Sequence, residues 1–134
     1  IGFVSFTGSV SAGYEVQKST MNKFISIALE LGGKDPAYVR HDADLENTVE
    51  NLVDGSFFNS GQSCCGIERI YVDKKIYNNF LELFIDKTYS YKLGNPLKED
   101  VNLGPVVKLS SAKFIKDQIN FEASKVFFLF LYER

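Results

Sequence analysis

Two cysteines, Cys64 and Cys65, stand side by side in the run Phe58-Asn59-Ser60-Gly61-Gln62-Ser63-Cys64-Cys65-Gly66, and the chain has no others. Their small and polar neighbours predict an accessible thiol, and accessibility is what a reactive thiolate requires. A thiolate held near loop N–H groups is a good nucleophile for a carbonyl carbon, and the amides of Cys64 and Cys65 are candidates to face a developing oxyanion. Upstream, Leu29-Glu30-Leu31-Gly32-Gly33-Lys34 sets a carboxylate directly after an apolar run. Ligands in open α/β sheets bind at the C-terminal ends of strands, and there Glu30 can serve as a general base on water. Each residue also has an ordinary reading: a free cysteine packs as a small hydrophobe, and a strand-end glutamate is simply solvated.

A third run, Thr7-Gly8-Ser9-Val10-Ser11-Ala12-Gly13, follows an apolar strand pattern and opens a helix. Amides and hydroxyls at a helix N-terminus suit a phosphate. The spacing is not the G-x-G-x-x-G fingerprint, and a plain strand-to-helix turn explains it equally well. Cys64 with His41 would make a cysteine hydrolase pair, but His41 lies in the polar turn Arg40-His41-Asp42, where a surface position is expected.

The elements that must position these groups alternate between strand and helix. Residues 3–6 read as a strand, and Val10–Lys18 as a short helix capped by Ser9 or Ser11. Residues 24–29 read as a buried strand running into Glu30, and 37–39 as another strand. Asp42 or Asp44 can cap a helix whose apolar positions Leu45, Val49, Leu52, Val53 and Phe57 lie on one face, ending near Asn59-Ser60-Gly61. A strand over 69–72 follows. A helix is expected over 75–91 with Ile76, Phe80, Leu83 and Phe84 on one side, and a further helix over 110–123. The apolar run from Val126 to Tyr132 has no period, and reads as a buried strand or as an extension foreign to the fold. Strand, turn, helix and strand in this order predict an α/β sheet.

With 134 residues, 45% hydrophobic and 24% charged, the composition is that of a globular chain. A net charge of −2 with scattered basic residues predicts no nucleic-acid surface. Two adjacent cysteines and one histidine offer neither a disulfide framework nor a zinc set, so no metal is expected. Free thiols favour a reducing compartment such as the cytoplasm. No apolar run is long enough for a membrane span, and no leader is visible. The chain opens inside a strand pattern, as expected for a piece of a longer protein.

Phe6-Thr7-Gly8-Ser9, Leu29-Glu30-Leu31-Gly32-Gly33-Lys34 and Gly61-Gln62-Ser63-Cys64 together, in this order and spacing, resemble the aldehyde dehydrogenase superfamily. The longer forms Gly32-Gly33-Lys34-Asp35-Pro36 and Phe58 to Val72 are also similar to it, as is Leu103-Gly104-Pro105-Val106. The resemblance covers about residues 1–125. It implies an α/β fold in which 1–33 close a Rossmann-like cofactor-binding domain and 34–125 open the α/β catalytic domain, with 126–134 a divergent apolar tail. It implies NAD(P)+-dependent oxidation of an aldehyde to a carboxylic acid, through a thiohemiacetal and a thioester on Cys64, with Glu30 as the base that activates water for hydrolysis. By the same resemblance Gly8 and Ser9 lie near the cofactor pyrophosphate, Gly13 ends that loop, and Leu31 and Gly32 lie by the nicotinamide of NAD or NADP. Cys65 falls at a variable position, as a pocket residue or a redox neighbour of Cys64.

The complete enzymes are usually dimers or tetramers and act on small-molecule aldehydes. Their oxyanion asparagine and ribose-binding lysine would lie upstream, and their Glu-x-Phe segment downstream. The alternative expectation is therefore a truncated, inactive remnant that serves, if at all, as an interaction module.

Overall fold

The computed structural model describes residues 1–132, with side chains through Ala123. Strand β1 (Phe3–Thr7), helix α1 (Val10–Thr20) and strand β2 (Ser26–Glu30) form one unit. Strand β3 (Asp35–Val39), helix α2 (Leu45–Phe57) and strand β4 (Ile67–Val72) form a second, followed by α3 (Tyr77–Tyr89) and α4 (Leu109–Tyr132). β1 pairs with β2 in parallel, Phe3 opposite Ser26 through Thr7 opposite Glu30. β3 pairs with β4 in parallel, Ala37 opposite Ile70 and Val39 opposite Val72. Parallel neighbours need a crossover, and α1 and α2 supply it. The β3–β4 register shifts between Asp35 and Pro36, where proline has no N–H to give to the ladder.

Capping follows local chemistry. Ser9 Oγ accepts from the Ala12 amide at 3.2 Å, and Asp44 Oδ1 accepts from the Asn47 amide at 3.2 Å; each satisfies an N–H that has no partner within its helix. Of the paired candidates, Ser9 and Asp44 are the caps.

Buried side chains gather between the second unit and α3. Val39, Val49, Leu52, Val53 and Phe80 form the core, with Leu45, Phe57, Ile76, Leu83 and Phe84 packed against it. The helical spacing predicted for α2 and α3 is the spacing that buries them. In the first unit the strands alternate instead. Val4, Phe6, Ile27 and Leu29 are half-buried, while their neighbours, Glu30 among them, are exposed.

Several boundaries differ from the sequence reading, among them the end of α1 at Thr20, the start of β4 at Ile67 and the span Tyr77–Tyr89 of α3. β2 begins at Ser26 rather than at Phe24, which is fully exposed. β3 extends back to Asp35. The apolar run after Val126 is helical through Tyr132 as the end of α4, not a strand; no Gly or Pro after Leu109 interrupts the helix. Glu133 and Arg134 lie outside the described residues. Among the described residues no helix is long and apolar enough to cross a membrane.

Tyr91 closes one end of the core. Its ring lies 6.0 Å from that of Phe57, and its hydroxyl donates to Asp54 Oδ1 at 3.3 Å. Burial raises the phenol above its ordinary pKa, and the Asp54 carboxylate adds to the rise. A raised folded pKa favours the protonated form. The contribution to stability is therefore complete below the unfolded value of about 10 and is lost as pH rises through the folded value. Melting temperature should fall more steeply above about pH 10 for the natural chain than for Tyr91→Phe. Parallel pH profiles in thermal melts would contradict this coupling.

Candidate active site

Glu30 is the last residue of β2, and the period of two turns it to the same side as exposed Ser26 and Ala28. Its carbonyl accepts from the Gly8 amide at 3.0 Å, which ties the β1–α1 turn to the end of β2. Gly13 is the one buried residue of α1. A Cβ there would fall 2.8 Å from Leu31 Cδ2, so with no side chain at position 13 the helix lies close against the residue that follows Glu30. Gly8, Ser9, Gly13, Glu30 and Leu31 thus share one end of the first unit, at the C-terminal ends of its strands.

The segment 31–34 then carries the chain to the second unit. A side chain at Gly32 would meet no protein atom within 4 Å, whereas a Cβ at Gly33 would fall 2.8 Å from the Cys64 carbonyl oxygen. Gly33 therefore lies directly against the cysteine loop. Two further bonds fasten the approach. Lys34 Nζ meets Glu68 Oε2 at 2.7 Å, and Arg69 Nη2 donates to the Lys34 carbonyl at 2.8 Å. Glu30 and Cys64 do not hydrogen-bond to each other; the contact between their segments is made through Gly33.

Cys64 and Cys65 are both exposed, as expected of an accessible thiol. The loop reaches them through Asn59, Ser60 and Gly61, which take φ values of 51°, 59° and 73°. Two non-glycine residues in the left-handed region cost about 1–3 kcal/mol each, and such strain persists only where neighbours hold it. Here Asn59 Nδ2 donates to the Gln62 carbonyl at 3.1 Å and Gln62 Nε2 donates to the Asn59 carbonyl at 2.9 Å. Beyond the turn, Gly66 N–H returns to the Ser63 carbonyl at 3.3 Å, while the N–H groups of Cys64 and Cys65 donate to no protein acceptor among the described residues. Cys65 Sγ lies 3.4 Å from Ser63 Oγ. An exposed sulfur beside two open backbone donors can attack a carbonyl carbon and hold the oxygen that becomes negative.

Local patterning did not expose Gly33 as the contact between the two motifs, nor the left-handed run. The Asn-Ser-Gly composition was the available signal for the turn. His41 is turned elsewhere: Nδ1 lies 3.4 Å from Asp73 Oδ2, not in a pair with Cys64. Among the described residues no three His, Cys, Asp or Glu side chains are grouped as a metal site.

The aldehyde dehydrogenase family model matches residues 1–127. The chain belongs to the aldehyde dehydrogenase family. It is 37% identical over 120 residues to a lactaldehyde dehydrogenase of Methanococcus aeolicus, a match covering 90% of this chain and 25% of that relative. The crystal structure of lactaldehyde dehydrogenase from Escherichia coli superposes with a TM-score of 0.86 at 37% identity, over 90% of this chain and 25% of that one. Betaine aldehyde dehydrogenase from Staphylococcus aureus, solved in complex with NAD+, superposes with a TM-score of 0.88 at 34% identity, over 93% and 25%. The chain spans about a quarter of the length of these aldehyde dehydrogenases.

Proposed function

We propose that this chain carries the nucleophile and the hydrolytic base of an NAD(P)+-dependent aldehyde dehydrogenase. The approach of Gly33 to the Cys64 carbonyl is the observation that supports this most directly. It sets the cysteine loop against the segment that follows the carboxylate-bearing strand end. In this reading residues 1–33 close the cofactor-binding domain, and 34–125 open the catalytic domain.

Cys64 Sγ bonds to the aldehyde carbon, and its own N–H meets the oxygen of the resulting thiohemiacetal. Bound NAD(P)+ supplies the acceptor for the hydride that leaves that carbon. Cys64 then carries the acyl group as a thioester. Glu30, on the open side of β2, takes a proton from water, whose oxygen attacks the thioester and frees Cys64. Cys65 is assigned no bond-making role.

The residues at the start of α1 fit the cofactor's phosphates. The first amides of an eleven-residue helix have no partner within it, and no acidic side chain stands in its first turn. Gly8 and Ser9 would hold the pyrophosphate there, with Gly13 shaping the turn. Leu31 and Gly32 would lie by the nicotinamide, where Gly32 leaves open space.

A second reading, of an isolated chain that is catalytically silent, has its own support. The chain exposes 11076 Å², against about 7,000 Å² for a folded monomer of this length. Phe24, Leu93, Leu97 and Tyr89 are among the uncovered apolar side chains. Exposed apolar surface of this kind marks interaction sites, as an inactive remnant acting as an interaction module would have. A full-length enzyme containing this segment should form NAD(P)H from an aldehyde, while the 134-residue chain alone forms none. Turnover by the isolated chain, followed by NAD(P)H absorbance, would overturn the second reading. Its absence from the full-length enzyme with every aldehyde tried would overturn the first.

A further inference from the structure

The cysteine loop has a second anchor, apart from the Gly33 contact. Gln62 Oε1 accepts from the Val107 amide at 2.9 Å, and the same carboxamide donates through Nε2 to the Asn59 carbonyl at 2.9 Å. One residue earlier than the left-handed glycine, Ser60 Oγ donates to the Gly104 carbonyl. Two side chains of the loop therefore grip the backbone of 104–107, far along the chain, and the bonds fall on either side of Gly61. Between them lies Gly61 at φ 73°, the end of the left-handed run that starts at Asn59 and Ser60, and neighbours must hold such a run in place. Gln62 is half-buried and two residues from the sulfur. Both ends of its amide are used, one inside the loop and one outside it.

We infer that Gln62 is a positioning residue that locks the cysteine loop to the 104–107 segment and so sets the orientation of Cys64. The inference rests on the nucleophile reading above for its consequence, though not for its geometry. A carboxamide satisfies both bonds at once. A carboxylate keeps the acceptor for Val107 and loses the donor to Asn59, whereas methionine keeps the length and loses both.

The test is amide hydrogen exchange on the full 134-residue chain, together with rates of iodoacetamide labelling at each cysteine resolved by mass spectrometry. The Val107 amide should be protected in the natural chain and in Gln62→Glu. In Gln62→Met it should exchange at least about tenfold faster, with Val53 in the core unchanged as a control for folding. The Cys64 labelling rate should shift with Gln62→Met while that of Cys65 holds. An unprotected Val107 in the natural chain, protection that survives Gln62→Met, or loss of protection without any change at Cys64 would each overturn the lock. A full-length Cys64→Ala enzyme that still turns over would instead remove the nucleophile reading and leave the exchange result intact.

Discussion

Cys64→Ala in a full-length enzyme carrying this segment is expected to abolish aldehyde oxidation, with a loss of at least about 10⁴-fold in kcat. The size of the effect follows from the covalent route. Without that sulfur no thiohemiacetal forms on residue 64; the neighbouring Ser63 hydroxyl lies 3.4 Å from Cys65 Sγ, and His41 is engaged with Asp73. A serine in place of Cys64 would retain the loop and its two open amides yet lack a thiolate, so it should be almost as impaired. Cys65→Ser serves as the counter-experiment, and activity should persist there. The assay is steady-state NAD(P)H formation, and comparable losses at the two cysteines would argue against a single nucleophile.

Glu30→Gln is expected to slow turnover by about 10²–10⁴-fold, the usual worth of a positioned general base. The loss should fall on one step. Glu30 sits exposed at the end of β2 and does not hydrogen-bond to Cys64, so thiohemiacetal formation has no need of it. Only hydrolysis of the thioester requires a proton acceptor for water. Rapid mixing should therefore show a burst of about one reduced nicotinamide per site, followed by a slow steady phase. A variant that loses the burst along with the steady phase would place Glu30 in the first half of the reaction instead. The glutamine also keeps the backbone carbonyl that accepts from Gly8, so the β1–α1 turn should stay fixed.

Much of the scaffold could be read from local pattern, because local physics determines it. The spacing of Leu45, Val49, Leu52 and Val53 describes one face of a helix, and three of these four are core residues. Side-chain chemistry narrowed the caps to Ser9 or Ser11 and to Asp42 or Asp44, and the structure selects Ser9 and Asp44. The start of β2 was less legible: Phe24 and Ile25 are apolar, but β1 pairs only from Ser26 onward, and pairing rather than hydropathy sets a strand's end. The run from Val126 reads by composition as a buried strand or a foreign extension, and it is helical through Tyr132, since α4 continues into it unbroken. At the site, motif spacing pointed to Glu30 and Cys64. What brings their segments together is not local. The Gly33–Cys64 approach and the Gln62–Val107 bond join residues far apart in the chain, and no period or propensity encodes such contacts.

The central claim is that Cys64 carries the acyl group that Glu30 helps to release. It is tested most directly by quenching the Glu30→Gln full-length enzyme after one turnover with aldehyde and cofactor, then locating the acyl mass by peptide mapping. The acyl group is expected on Cys64. An acyl group on Cys65, or unmodified protein accumulating while product forms, would contradict it.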